Sequence, residues 1–107
     1  NPVISIGPIL ETRGIRAALE ASPAPKVAVS PLVHGEVVKG PTSAFLQWTG
    51  QPASSDGIAG MYANLIDGLV ADEPSDALPV CTTDVLMSTA DARRRVAAET
   101  LEFALTL

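Results

Sequence analysis

Residues 30–41, SPLVHGEVVKGP, concentrate the chain's single histidine, two glycines, two prolines and a lysine between a β-branched run and a helical one. Ser30 closes the run, and Gly35 and Gly40 let backbone N–H groups turn inward. Lys39 supplies a compact cation, and a helix starting at about 41 would aim its positive dipole end at the same space. These residue types in this order make a cradle for an anion or a phosphate. The alternative is a solvated connection whose glycines and prolines only set turn angles, with His34 an ordinary loop histidine.

Other groups with chemical capacity are sparser. Asp84, after Thr82-Thr83, could hold a metal or orient a hydroxyl, or could cap backbone N–H groups as a turn aspartate. Asp72-Glu73 could bind a cation, or simply be solvated as adjacent carboxylates opening a loop. Asn1-Pro2 could present an amide to a base or phosphate, or be a turn before a strand. Ser30, His34 and Asp84 make a nucleophilic triad on paper, but composition alone allows such triples in most chains. GxGxxG, GxxxxGK followed by Ser or Thr, HExxH and GxSxG are all absent, which removes support for the common nucleotide loops, the zinc proteases and the hydrolase elbow.

The elements that must position these groups follow from periodicity. Val3-Ile4-Ser5-Ile6 reads as a strand closed by Gly7-Pro8. Ile15 and Leu19 have helical spacing within a helix over 12–21, and KVAVS (26–30) reads as a strand covered on both faces. Pro41 opens a helix whose apolar side is Ala44, Phe45 and Trp48. Ser54, Ser55 or Asp56 caps a helix carrying Ile58, Met61, Tyr62 and Leu65, although Gly57 and Gly60 each cost it about 1 kcal/mol against alanine. GLVAD (68–72) and the run 78–84 are further strands, and Ser88 or Thr89 caps a helix over 90–105 with Val96, Leu101 and Ala104 in its core.

This order predicts an α/β fold: a layered, largely parallel sheet with helices on both faces. One step resists it. About five residues separate the last two strands, whereas a parallel crossover normally takes ~12, so those strands are expected to pair antiparallel or not to be neighbours. Ligands of open α/β sheets bind beyond the carboxyl ends of the strands, which again selects 5–8, 30–35, 72–73 and 82–84.

Composition bounds the rest. With 107 residues, 47% apolar and 18% charged, the chain suits one domain, or part of one, packed mainly by Ala, Val, Leu and Ile. A net charge of −5 leaves no basic footprint for nucleic acid. One cysteine, Cys81, excludes an intramolecular disulfide and paired-cysteine zinc, and fits a reducing cytoplasm. No apolar run reaches ~18 residues, so no spanning helix and no membrane partner is expected. The chain opens without Met, straight into NPVISIGPIL, and is expected to be the later part of a longer polypeptide.

NPVISIGPIL, SPLVHGEVVKGP, DGLVADE and LPVCTTDVLM, in this order and spacing, closely resemble the C-terminal part of the 2-phospho-L-lactate transferase (CofD) family of coenzyme F420 biosynthesis. The resemblance covers essentially the whole chain. A related group, the YvcK-like nucleotide-sugar-binding proteins, shares the scaffold but is expected to lack these two opening segments.

The resemblance implies a Rossmann-like layered sheet, as the C-terminal portion of a larger domain, and transfer of a 2-phospho-L-lactyl or phosphoenolpyruvyl group from a GDP-activated donor to the deazaflavin FO. GMP leaves, Mg2+ assists, and F420-0 or its dehydro form is the product. It implies donor binding by Asn1, Ser5, Ser30, Pro31, Val33, Gly35, Lys39 and Gly40. His34 stands where glycine is expected in many relatives, and Thr83 and Asp84 are further candidates without an assigned role. The catalytic residues, the Mg2+ ligands and the FO site are expected in a preceding part carrying a glycine-rich nucleotide loop, so that this fragment alone would not catalyse. The chain is expected to contact that part and to form a homodimer, with the alanine-rich helix over 90–105 as a possible face. The alternative is a non-catalytic α/β module that buries an apolar face against a partner chain or its own preceding half.

Overall fold

The computed structural model describes residues 1–37 and 40–107, with Val37 described for its backbone only. In chain order the helices are α1 (Gly7–Glu11), α2 (Ile15–Ala21), α3 (Thr42–Trp48), α4 (Ser55–Met61) and α5 (Ala90–Ala104). The strands are β1 (Val27–Val29), β2 (Leu32–Val33), β3 (Glu36–Val37), β4 (Gly68–Ala71) and β5 (Val80–Thr82). Among the described residues no helix is long and apolar enough to cross a membrane.

β1, β4 and β5 form a parallel sheet in the order β1-β4-β5. The central strand is the continuous apolar run Gly-Leu-Val-Ala, and all four of its residues are buried, as a strand covered on both faces requires. Its alternation sorts the two layers. Leu69 and Ala71 join Leu32 and Leu46 and the α4 residue Ile58 in one core cluster. Gly68 lies against the other layer, where the α5 residue Phe103 approaches so closely that a methyl group at position 68 would sit 2.6 Å from its ring. The expected α/β layout, with helices on both faces of a parallel sheet, is the observed one.

Residues 3–6 are not a strand. The side-chain oxygen of Asn1 accepts the N–H groups of Val3 (2.8 Å) and Ile4 (3.1 Å), Pro2 occupies the first turn, and Pro2–Ile6 winds as a wide, π-helical turn. A cap that satisfies two donors outweighs the modest β preference of Val and Ile. Gly7-Pro8 then begins α1 instead of closing a strand, because proline is tolerated in a first helical turn. α2 starts at Ile15, later than expected, after Gly14 with φ 85°.

The last two strands are parallel neighbours, contrary to the expectation from their short connection. Residues 72–79 need no helix to return, since eight extended residues reach roughly 26 Å and strands this short are only ~13 Å long. The return path is held on α4. The Ser55 N–H donates to the Glu73 carboxylate (2.7 Å), and the Ser55 hydroxyl donates to the Glu73 carbonyl (3.1 Å).

Two buried faces differ from expectation. α3 buries Thr42 and Leu46, and leaves Trp48 79% exposed. α5 buries Val96, but Leu101 points out of the core. α4 matches its expected cap, Ser54, and tolerates Gly57 because the Pro52 carbonyl lies 1.8 Å from where a side-chain carbon would be.

Candidate functional site

The carboxyl ends of β1, β4 and β5 lie side by side, and each continues into a segment that carries candidate residues. After β1, the Ser30 N–H donates to the Val70 carbonyl (2.8 Å), which extends the sheet by one residue. The Ser30 hydroxyl oxygen accepts the Leu32 N–H (3.1 Å), and the residue is buried. Ser30 therefore shapes the loop from inside.

The loop itself is an antiparallel hairpin, β2 against β3, with Leu32 opposite Val37 and Val33 opposite Glu36. His34 and Gly35 form its two-residue turn with φ 52° and 72°. Two successive positive φ values match the right-handed twist of a tight hairpin, and this is the turn that favours glycine at its second position. The hairpin went unread in the sequence, although Leu-Val-His-Gly-Glu-Val carries its signal: histidine is among the few side chains enriched at positive φ. The same geometry gives a physical reason for glycine to suit position 34.

The hairpin turn is tied to the end of β4. The His34 N–H donates to the Asp72 carboxylate, and His34 Nδ1 lies 3.7 Å from the same oxygen. The Asp72 side chain is 8% exposed and the imidazole 90% exposed. Asp72 and Glu73 are thus both engaged, one on the hairpin and one on α4, and are neither simply solvated nor free to bind a cation.

At the end of β5 the Thr83 N–H donates to the Ala71 carbonyl (2.8 Å). Arg95 of α5 donates to the Thr83 hydroxyl (2.7 Å) and to the Asp84 carbonyl (2.6 Å), and pairs with Glu99 at 3.1 Å. Asp84 accepts the Leu86 N–H (2.8 Å), as a turn aspartate does. The role of Arg95 was hidden in a basic triplet that reads as a solvated helix face. None of these hydrogen bonds joins Ser30, His34 and Asp84 to one another. His34 is beside Asp72, and Asp84 is beside Arg95.

The first signature segment is bonded to the residue that directly follows the second. Asn1 donates from Nδ2 to the Thr42 hydroxyl (2.9 Å), across 41 residues of sequence, and so fastens the first turn to the start of α3 just beyond the loop. Of the remaining candidates, Ser5 is exposed, with its N–H on the Asn1 carbonyl (3.1 Å). Pro31 and Val33 are half-buried, and Gly40 is exposed with φ 86°. Lys39 lies outside the described residues.

Among the described residues no group of three or more His, Cys, Asp or Glu side chains is placed to hold a metal ion. The strand-end aspartates are already committed to backbone N–H groups and to Arg95. The described residues therefore do not fit a magnesium site.

The family model for 2-phospho-L-lactate transferase CofD matches residues 1–99. A phosphoenolpyruvate transferase of Kitasatospora aureofaciens is 36% identical over 112 aligned positions, covering 91% of this chain and 35% of that protein. A 2-phospho-L-lactate transferase of Methanocaldococcus jannaschii is 36% identical, covering 96% of this chain and 34% of its own length. One of Methanothermobacter thermautotrophicus is 42% identical over 81 positions, covering 73% of this chain and 25% of that protein. The chain spans between 25% and 35% of the length of these relatives. With the family match extending over nearly all of its residues, the chain belongs to the 2-phospho-L-lactate transferase CofD family.

Proposed function

We propose that this chain forms part of the donor site of a transferase that moves a 2-phospho-L-lactyl or phosphoenolpyruvyl group from a GDP-activated donor to the deazaflavin FO. In that reaction a hydroxyl oxygen of the acceptor forms a bond to the phosphorus that carries the acid. The phosphoric anhydride bond to the nucleotide breaks, and GMP leaves. The product is F420-0 or its dehydro form. Charge gathers on the leaving phosphate, so cationic and N–H groups held in advance around it lower the barrier.

In this reading the segment following β1 cradles the diphosphate. Lys39 supplies the charge, and Gly35 and Gly40 supply backbone at positive φ. Ser30, Pro31 and Val33 set the path of the loop, while Asn1 and Ser5 stand at its flank. Thr83 and Asp84 border it from the end of β5. The observation that carries the reading is the family match across residues 1–99, which includes both signature segments. The Asn1–Thr42 bond, which fastens the first segment to the residue just after the second, supports it.

Calorimetric titration of the intact protein with GDP tests the assignment. Lys39→Ala is expected to weaken binding about tenfold or more, equivalent to about 1.4 kcal/mol. Unchanged affinity would remove Lys39 from the donor site.

A further inference from the structure

Ser30 and Thr83 flank the carboxyl end of β4. The Ser30 N–H donates to the Val70 carbonyl and the Thr83 N–H to the Ala71 carbonyl, both at 2.8 Å. Backbone groups of consecutive strand residues point to opposite sides, so the loop after β1 and the turn after β5 border one strand end from either side. Each brings a hydroxyl. That of Ser30 is buried and accepts the Leu32 N–H within its own loop. That of Thr83 is half-buried and is held from another element.

The holder is Arg95 of α5. Its Nη1 donates to Thr83 Oγ1 (2.7 Å) and its Nη2 to the Asp84 carbonyl (2.6 Å). A guanidinium is a planar fork with fixed donor directions, so bonds to two adjacent residues set the orientation of the turn as well as its place. Its charge is already matched, by Glu99 at 3.1 Å and by the Asp84 carboxylate at 3.8 Å. Arg95 therefore acts on the turn, and not as a free cation on a ligand.

A hydroxyl has one hydrogen to donate. Thr83 Oγ1 accepts from Arg95, which turns its O–H away from the guanidinium, and among the described residues that O–H meets no acceptor. Accepting from a cation also polarises the O–H and strengthens it as a donor. The nearby Asp84 carboxylate is occupied by the Leu86 N–H at 2.8 Å and by Arg95.

We infer that the Thr83 hydroxyl donates to a phosphate oxygen of the GDP-linked donor, and that Arg95 is the positioning residue that aims it. Ionised phosphate oxygens only accept, so a hydroxyl committed to donating is complementary to them. The inference rests on the donor-site reading and gives the end of β5 a defined contact within it.

Calorimetric titration of the intact protein with GDP, joined to phosphorus NMR of the bound nucleotide, tests both residues. Thr83→Val has the same shape without the hydroxyl, and is expected to weaken GDP about tenfold and to shift a phosphorus resonance. Thr83→Ser should bind within about twofold of the parent. Arg95→Met, or Arg95→Lys where that variant does not fold, should also weaken GDP, but by less than about threefold once Thr83 is already valine. Full additivity of the two losses would overturn the positioning role of Arg95. Parent-like affinity and phosphorus shifts in Thr83→Val, or an equal loss in Thr83→Ser, would overturn the contact and leave the donor-site reading standing. Absence of GDP binding by the parent would overturn both.

Discussion

The backbone N–H of His34 is bonded to the carboxylate of Asp72, which joins the turn of the β2–β3 hairpin to the carboxyl end of the central strand β4. The acceptor is almost wholly shielded from water, and the donor lies 38 residues away in sequence. A charged acceptor in such a place strengthens the bond and makes its loss more costly than that of a surface contact.

Asp72→Ala is accordingly expected to destabilise the protein by about 1–2 kcal/mol in chemical denaturation. Asp72→Asn, which keeps an acceptor oxygen, should cost less. Equal costs for the two variants would show that the loss lies in charge and not in the hydrogen bond to the hairpin.

The turn makes a prediction of the opposite kind at its first residue. The His34 side chain is almost fully exposed and its φ is 52°. His34→Gly is expected to leave stability within about 0.5 kcal/mol, because glycine adopts this conformation freely. His34→Val, with a branched side chain, should cost about 1–2 kcal/mol. GDP affinity should be unaffected by His34→Gly, and a tenfold loss would give the imidazole a binding role that the hairpin geometry does not.

A separate clamp closes the other end of the sheet and is sensitive to acid. The Asp67 carboxylate accepts the Lys26 backbone N–H at 2.7 Å and pairs with its amine at 3.2 Å. The backbone hydrogen bond first, and then the side-chain bond and charge of Lys26, hold the Asp67 carboxyl below its ordinary value of 3.8. A carboxyl depressed on folding stabilises the protein above its unfolded value, and that contribution is lost as pH falls through the folded one. Asp67→Asn should therefore be less stable than the parent at neutral pH, with the difference closing below pH 3.8. A gap that stayed constant through acid would remove the ionised carboxylate from the clamp.

Much of this arrangement is legible in the sequence, for reasons that are local. Ser54 and Thr89 each accept an N–H three residues on, the bonds their position before a helix implies. The apolar runs at 27–29 and 68–71 have the length and bounds of parallel strands, and the second is buried throughout; the first, expected to be covered on both faces, is only partly buried, with Val29 exposed. The misreadings share a different cause. Pro2–Ile6 looks extended until Asn1 is seen to cap it, and the return from β4 to β5 looks too short until Glu73 is seen fixed on Ser55.

The site divides in the same way. The hairpin turn is written in His34-Gly35 itself. Its anchor on Asp72 and the grip of Arg95 on Thr83 join residues far apart in sequence, and no local pattern announces them. Trp48 and Leu101 are apolar residues at helical spacing that lie exposed on α3 and α5, so periodicity alone misplaces them in the core.

The proposed transfer is tested most directly by incubating the intact protein with FO and each GDP-linked donor, carrying lactate or enolpyruvate, and measuring GMP and the phosphodiester product by mass spectrometry. One GMP is expected to be released for each phosphodiester formed with at least one of the two donors. Recovery of FO unchanged with both donors, and no GMP, would contradict it.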